Sequence, residues 1–131
     1  MNTILVTGGA GFIGSNLLIH LVKTYPVKKF INLDVLTYAG DLANLEVIKD
    51  AANYQFVEGD IRDRKFVDKV FTDFKIEGVM HLAAESHVDN SITNPSVFME
   101  TNVNGTFNLI DAAYKYWMVK PFTFKAGFEN Y

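Results

Sequence analysis

Blocks of consecutive apolar residues alternate along this chain with longer stretches whose apolar positions recur every three or four residues. The first kind reads as a strand covered on both faces, the second as a helix with one buried stripe. Ile4-Leu5-Val6 is the first block. A helical pattern over residues 12–24 follows, with Ile13, Leu17 and Leu21 in phase and Pro26 ending it. His20 falls off that stripe and is expected in solvent. A second strand is predicted over residues 29–34, a loop over 35–40 and a helix over 41–51. Tyr54-Gln55-Phe56-Val57-Glu58 predicts the third strand, and Asp63 is placed to cap a helix that buries Phe66, Val70, Phe71 and Phe74. The fourth strand is Gly78-Val79-Met80-His81-Leu82-Ala83-Ala84, with His81 expected inside as a satisfied core histidine. A long helix is expected over residues 95–116, starting with Pro95 in its first turn.

Strands alternating with helices predict an α/β fold, a Rossmann-like parallel sheet with helices on both faces. Residues 120–131 keep aromatic residues but lose the helical period, and read as the lead-in to a further strand. In a sheet of order 3-2-1-4-5-6 the fourth strand is internal, whereas here it would be an edge. Residues 1–131 are therefore expected to form one incomplete domain, truncated after strand four and its helix.

The turn after the first strand adds chemistry to this outline. Thr7-Gly8-Gly9-Ala10-Gly11-Phe12-Ile13-Gly14-Ser15 places glycines between a strand and a helix, the setting in which such a pattern has a mechanism. Gly8 can take a tight turn, Gly11 keeps side chains away from a diphosphate, and Gly14 lets the helix pack closely. The unpaired N–H groups of the first helical turn then face the phosphates. Asp34 ends the second strand about twenty residues beyond Gly14, where its carboxylate can bind a ribose diol.

Composition narrows the class. The chain has 131 residues, 49% of them hydrophobic, which suffices for one domain with a core. It has no cysteine, which excludes disulfides and cysteine-ligated metal. A net charge of −3 argues against a nucleic-acid partner. No apolar run is long enough to span a membrane and Met1 abuts the first strand, so no membrane association and a cytoplasmic location are expected. His87 and Asp89 have a spacing a metal could use, but no third ligand is evident and no metal is expected.

The Thr7 to Gly14 motif, T-G-x-x-G-x-x-G, resembles the extended short-chain dehydrogenase/reductase superfamily. Three further stretches resemble its dTDP-glucose 4,6-dehydratases: Asp34-Val35-Leu36-Thr37-Tyr38-Ala39-Gly40, His81-Leu82-Ala83-Ala84-Glu85-Ser86-His87-Val88-Asp89 and Glu100-Thr101-Asn102-Val103-Asn104-Gly105-Thr106. The resemblance implies NAD as cofactor, with backbone N–H groups of Phe12 and Ile13 on its diphosphate and Asp34 on the adenosine ribose. It places Val35, Leu36, Thr37, Tyr38, Ala39 and Gly40 along that ribose, and Asp60 and Ile61 on the adenine. Leu82, Ala83, Ala84, Glu85, Ser86 and Thr101 would line the nicotinamide end, and Ser86 and His87 would meet the sugar nucleotide. The residues also allow plainer readings: Leu36, Ile61 and Leu82 as core, Asp60 as a turn residue, Thr101 and Asn102 as locally bonded helix residues.

The implied reaction converts dTDP-glucose to dTDP-4-keto-6-deoxyglucose and water, by oxidation at C4, elimination across C5–C6 and hydride return to C6. The resemblance puts its acid–base groups, a T-D-E stretch and a Tyr-x-x-x-Lys helix, downstream of residue 131. No catalytic residue is therefore expected in this chain, which should be inactive alone, the longer enzyme being a homodimer. Tyr25 with Lys29 and Tyr116 with Lys120 match the Tyr-x-x-x-Lys spacing, but Pro26 breaks the first pair's helix and the second precedes the next strand. Two alternatives stay open: an epimerase or decarboxylase relative, and a non-catalytic NAD-binding module.

Overall fold

The computed structural model describes residues 2–36, 40–85, 88–120 and 123–124. Four strands, β1 (Thr3–Thr7), β2 (Lys29–Asp34), β3 (Tyr54–Glu58) and β4 (Gly78–His81), form one parallel sheet in the order β3-β2-β1-β4. Leu5 stands between Ile31 and Val79 across the sheet, and Asn32 lies between Val6 and Phe56. β1 and β2 are almost entirely buried, as their unbroken apolar runs require, while β3 and β4 are edges and only half covered.

Helices cover both faces. On one, α2 (Arg64–Phe74) and α5 (Thr106–Trp117) bury Val67, Val70, Phe71, Leu109 and Ala112 against Leu5, Ile31 and Leu33. Trp117 closes this layer, its indole N–H donating to the Ile76 carbonyl at 2.8 Å. On the other, α1 (Phe12–Thr24) packs Leu18, Leu21 and Val22 against Val6 and Phe30. Asp63 caps α2 by accepting from the Phe66 N–H, as expected.

Several elements depart from the sequence expectation. The residues inward on α1 are Gly14, Ser15, Leu18, Leu21 and Val22, while Ile13 faces out. Gly14 sets this rotation, because a Cβ there would stand 2.2 Å from the Gly8 carbonyl oxygen. The helix expected over residues 41–51 is a 3-10 turn, Leu42–Ile48, started by the Asp41 side chain accepting from the Ala43 N–H. Leu45 and Ile48, three apart, are its buried residues, and three residues per turn puts both on one face.

The long helix over residues 95–116 is segmented into α4 (Pro95–Phe98), a π-helical stretch (Met99–Gly105) and α5, with a short α3 (Val88–Thr93) before it. After α5, β5 (Met118–Lys120) and β6 (Thr123–Phe124) pair antiparallel in a separate ladder instead of joining the sheet. His81 is exposed, because β4 is an edge, yet both ring nitrogens are hydrogen-bonded. His20 is exposed, as its place off the stripe implied.

Candidate functional site

The four strands end together at one side of the sheet, and the turns leaving them enclose a cleft where the chain order reverses between β1 and β4. Gly8 makes the first turn with φ +71°. A Cβ there would lie 2.6 Å from the Ala83 nitrogen and 2.7 Å from the Leu82 carbonyl carbon, so the turn rests directly on the chain leaving β4. Gly11 precedes α1 as its N-cap and supplies no side-chain acceptor. The first-turn N–H groups of α1 therefore have no partner within the helix, and that turn carries no acidic residue. Phe12 and Ile13, at 82% and 70% exposure, stand at the mouth of the cleft. That end of a helix favours an anion.

Asp34 ends β2 with only 8% of its surface exposed. Its Oδ2 accepts from the Ala10 N–H at 2.9 Å and its Oδ1 from the Leu36 N–H at 2.8 Å. These two bonds orient the carboxylate and leave each oxygen able to accept another. Gly40 passes close to it, and a Cβ there would be 3.0 Å from Oδ1. Leu36 takes φ +57°, packs beside the α1 layer and contributes its N–H to this arrangement.

Asp60 and Arg62 form the third wall. Arg62 Nε donates to both Asp60 oxygens at 3.0 and 2.9 Å, its Nη2 to Oδ2 at 2.6 Å, and its backbone N–H to Oδ1 at 2.9 Å. Burial pushes the Asp60 carboxyl upward, but the Arg62 bonds outweigh it and hold the group below the usual carboxylate range. The pair is stabilising above the ordinary carboxylate pKa and is lost as pH falls through the lowered value. Arg62→Met is expected to raise the Asp60 pKa, read as an upward shift of its side-chain carbon titration by NMR. An unchanged titration would show that the ion pair does not persist in solution.

The fourth wall depends on the π-helical stretch. Asn102 projects from it to receive the Glu85 N–H at 2.8 Å and to donate to the Glu85 carbonyl at 3.0 Å, fixing the loop after β4 from both sides. Gly105 lets the stretch close on Ile61, since a Cβ there would meet the Ile61 Cδ1 at 2.6 Å. One extra residue per turn widens a helix locally, and such insertions recur at functional sites. Here it brings Thr101 to the cleft.

Together these walls enclose about 530 Å3, within the range of small-molecule sites. Gly8, Gly11, Phe12, Ile13, Gly14, Asp34, Val35 and Gly40 line it from the first two strand ends. Asp60, Ile61, Leu82, Ala83, Ala84, Glu85 and Thr101 line it from the others. Ile61 is also buried core, so its two readings coexist, as do the turn and lining roles of Asp60. Leu36 is not in the lining. Thr37, Tyr38, Ala39, Ser86 and His87 lie outside the described residues. Leu33, Gly59 and Arg62 line the cleft without having been anticipated, and only Arg62 left a signal, an opposite charge two residues after Asp60.

Neither Tyr-x-x-x-Lys pair reaches the cleft: Tyr25 caps the far end of α1, and Tyr116 packs edge-on against Phe71 at 6.0 Å. Among the described residues no group of three or more His, Cys, Asp or Glu could hold a metal.

A parallel sheet of this order, with helices on both faces and a cleft at the reversal point, defines a Rossmann-like α/β domain. Residues 5–127 match the GDP-mannose 4,6 dehydratase family, and the chain belongs to that family. The dTDP-glucose 4,6-dehydratase of Neisseria meningitidis serogroup B is 49% identical over 121 residues, covering 92% of this chain and 34% of that protein. The corresponding Salmonella typhimurium enzyme is 48% identical over 114 residues, covering 87% of this chain and 31% of its own length. The chain thus spans about a third of the curated relatives it matches. The structure of a Streptomyces venezuelae dTDP-glucose 4,6-dehydratase, solved with NAD bound, superposes with TM-score 0.80 and 46% identity over 87% of this chain and 36% of that one. A Thermotoga maritima UDP-glucose 4-epimerase superposes with TM-score 0.77 and 35% identity, over 87% of this chain and 34% of that one.

Proposed function

We propose that this chain is the NAD-binding part of a nucleotide-sugar dehydratase acting on dTDP-glucose. The observation that carries the cofactor reading is the Asp34 carboxylate, oriented by two backbone N–H groups at the end of β2. Its free lone pairs suit the two adjacent hydroxyls of a ribose, and its charge opposes a 2′-phosphate, favouring NAD over NADP. The first-turn N–H groups of α1, with Gly8 and Gly11 leaving the approach open, would hold the diphosphate. Asp60 and Ile61 would hold the adenine, and the Leu82, Ala83, Ala84, Glu85 and Thr101 wall the nicotinamide end. When bound, NAD supplies the hydride acceptor and donor for chemistry at the sugar.

The described side chains are given binding and orienting roles, and neither Tyr-x-x-x-Lys pair reaches the cleft. We therefore keep the reading that the chain alone is inactive and that residues 1–131 form one incomplete cofactor domain of a longer enzyme. The dTDP-glucose specificity rests on the dehydratases among its relatives. The cytoplasm is part of the same proposal; among the described residues no helix is long and apolar enough to cross a membrane. The test is calorimetric titration of the chain with NAD and NADP. Saturable NAD binding at least tenfold tighter than NADP is expected, and equal affinities would remove the role given to Asp34.

A second copy is the proposed protein partner. Met99, Val103, Phe107, Ile110 and Tyr114 recur every three or four residues and form an exposed apolar stripe along the π stretch and α5, with Phe107 at 60% and Ile110 at 65% exposure. Such a face is a site of association. Ile110→Glu is expected to shift the chain toward monomer in light scattering, with little change in thermal stability because the site is exposed. An unaltered mass would place the interface elsewhere.

A further inference from the structure

Three separate parts of the chain meet through hydrogen bonds at His81. Thr7 Oγ1 accepts from the Ala83 N–H at 3.2 Å and shares the Leu82 N–H, at 3.2 Å, with the Thr7 carbonyl, at 3.0 Å. With both lone pairs engaged, its hydrogen points to His81 Nδ1, 2.6 Å away. Nδ1 is then an unprotonated acceptor. On the other side, Thr106 Oγ1 donates to the Asn102 carbonyl at 2.7 Å, so its oxygen receives the His81 Nε2–H at 2.9 Å. Both neighbours therefore select the same ring state, neutral with the proton on Nε2.

We propose that His81 is a positioning residue for dinucleotide binding, pinning Ala83 to the glycine turn while neutral and releasing it when protonated. The proposal rests on the NAD reading above and deepens it. A second proton, on Nδ1, presents a third donor to the Thr7 oxygen and leaves the Thr7 hydrogen without an acceptor. The adjustment is loss of the Ala83 bond, since the Leu82 N–H keeps the Thr7 carbonyl as acceptor. Ala83 lines the cleft, and the Gly8 turn lies against its backbone, so the disturbance reaches the proposed diphosphate and nicotinamide positions together.

His81 is exposed at the sheet edge, but the covering of its ring on the Thr7 side lowers its pKa, and no charged group adds to that shift. β1 carries no titratable residue, Asp111 of α5 is paired with Arg64 and Lys115, and Glu85 and Glu100 act on Arg62. The pin is thus present above the lowered pKa and lost as pH falls through it.

The experiment pairs NMR of the NAD-free chain with NAD titrations between about pH 5 and 8, in the wild type and in His81→Gln, whose amide keeps a donor and an acceptor but does not titrate. The His81 ring nitrogens should report the Nε2–H form, and the Ala83 amide should titrate with the ring. NAD affinity should fall about tenfold toward the acid end in the wild type, the loss expected for one hydrogen bond, and stay within about twofold in the variant. An Nδ1–H ring, or an Ala83 amide indifferent to its titration, overturns the pin even if the variant fails to fold. Parallel pH profiles overturn the role of His81 alone. Absence of NAD binding at every pH overturns the functional reading and the binding role together, and is distinguishable from both.

Discussion

Asp34→Ala is expected to weaken NAD binding by about 100-fold or more. A hydrogen bond to a charged acceptor is worth about 1.5–3 kcal/mol, and two ribose hydroxyls would each lose one. At about 1.4 kcal/mol per tenfold, their combined loss is at least two decades. The substitution also removes the acceptors of the Ala10 and Leu36 N–H groups, which hold the glycine turn to the end of β2. Stability should fall as well, so the binding loss needs a control. Asp34→Asn keeps an acceptor for one of those N–H groups and removes the charge. It should fold better than Asp34→Ala and show a narrowed preference for NAD over NADP, because the repulsion of a 2′-phosphate is gone. Calorimetry with both cofactors, beside thermal melts of both variants, separates the effects. Retention of NAD affinity within about threefold in a folded Asp34→Ala would show that this carboxylate does not hold the ribose.

What could be read from the sequence was what local chemistry determines. β1 and β2 appeared where apolar runs predicted them, because both faces of each are covered, and β3 matched its expected bounds, while β4 stops at His81, three residues short of the expected end at Ala84. The proximity of Gly8, Asp34 and Asp60 followed from their places at the ends of parallel strands. Contacts between distant parts of the chain were not legible. The rotation of α1 depends on where Gly14 meets the Gly8 carbonyl, and nothing in the spacing of Ile13, Leu17 and Leu21 reports that contact. The π-helical stretch is stabilised by what it reaches, Asn102 to Glu85 and Gly105 to Ile61, and its sequence looks like ordinary helix. His81 reads as core in its strand and is exposed because β4 is an edge. Arg62 was overlooked although the opposite charge two residues after Asp60 signalled it, because its value to the cleft comes from the four-bond pairing with Asp60 that only the fold closes.

Gly8→Ala should produce a large loss of stability, because two independent costs fall on one atom. The backbone there is left-handed at φ +71°, which costs an L-residue roughly 1–2 kcal/mol. The new methyl would also stand 2.6 Å from the Ala83 nitrogen and 2.7 Å from the Leu82 carbonyl carbon, with backbone on both sides of the clash. Neither partner can rotate away, so the chain leaving β4 must move, at a further cost of about 1–3 kcal/mol. The total of about 2–5 kcal/mol is a large fraction of the 5–15 kcal/mol that holds a typical domain together. The movement would also stretch the Leu82 and Ala83 bonds to Thr7, disturbing the wall of the cleft opposite Asp34. The expected result is a melting temperature lowered by about 10 °C or more, with NAD binding lost even below the transition. Gly40→Ala is the matched comparison: its methyl would approach the Asp34 Oδ1 at 3.0 Å without positive φ, so it should cost less stability. Equal melting temperatures for Gly8→Ala and the wild type would mean that the turn and the end of β4 do not pack as closely in solution as these distances require.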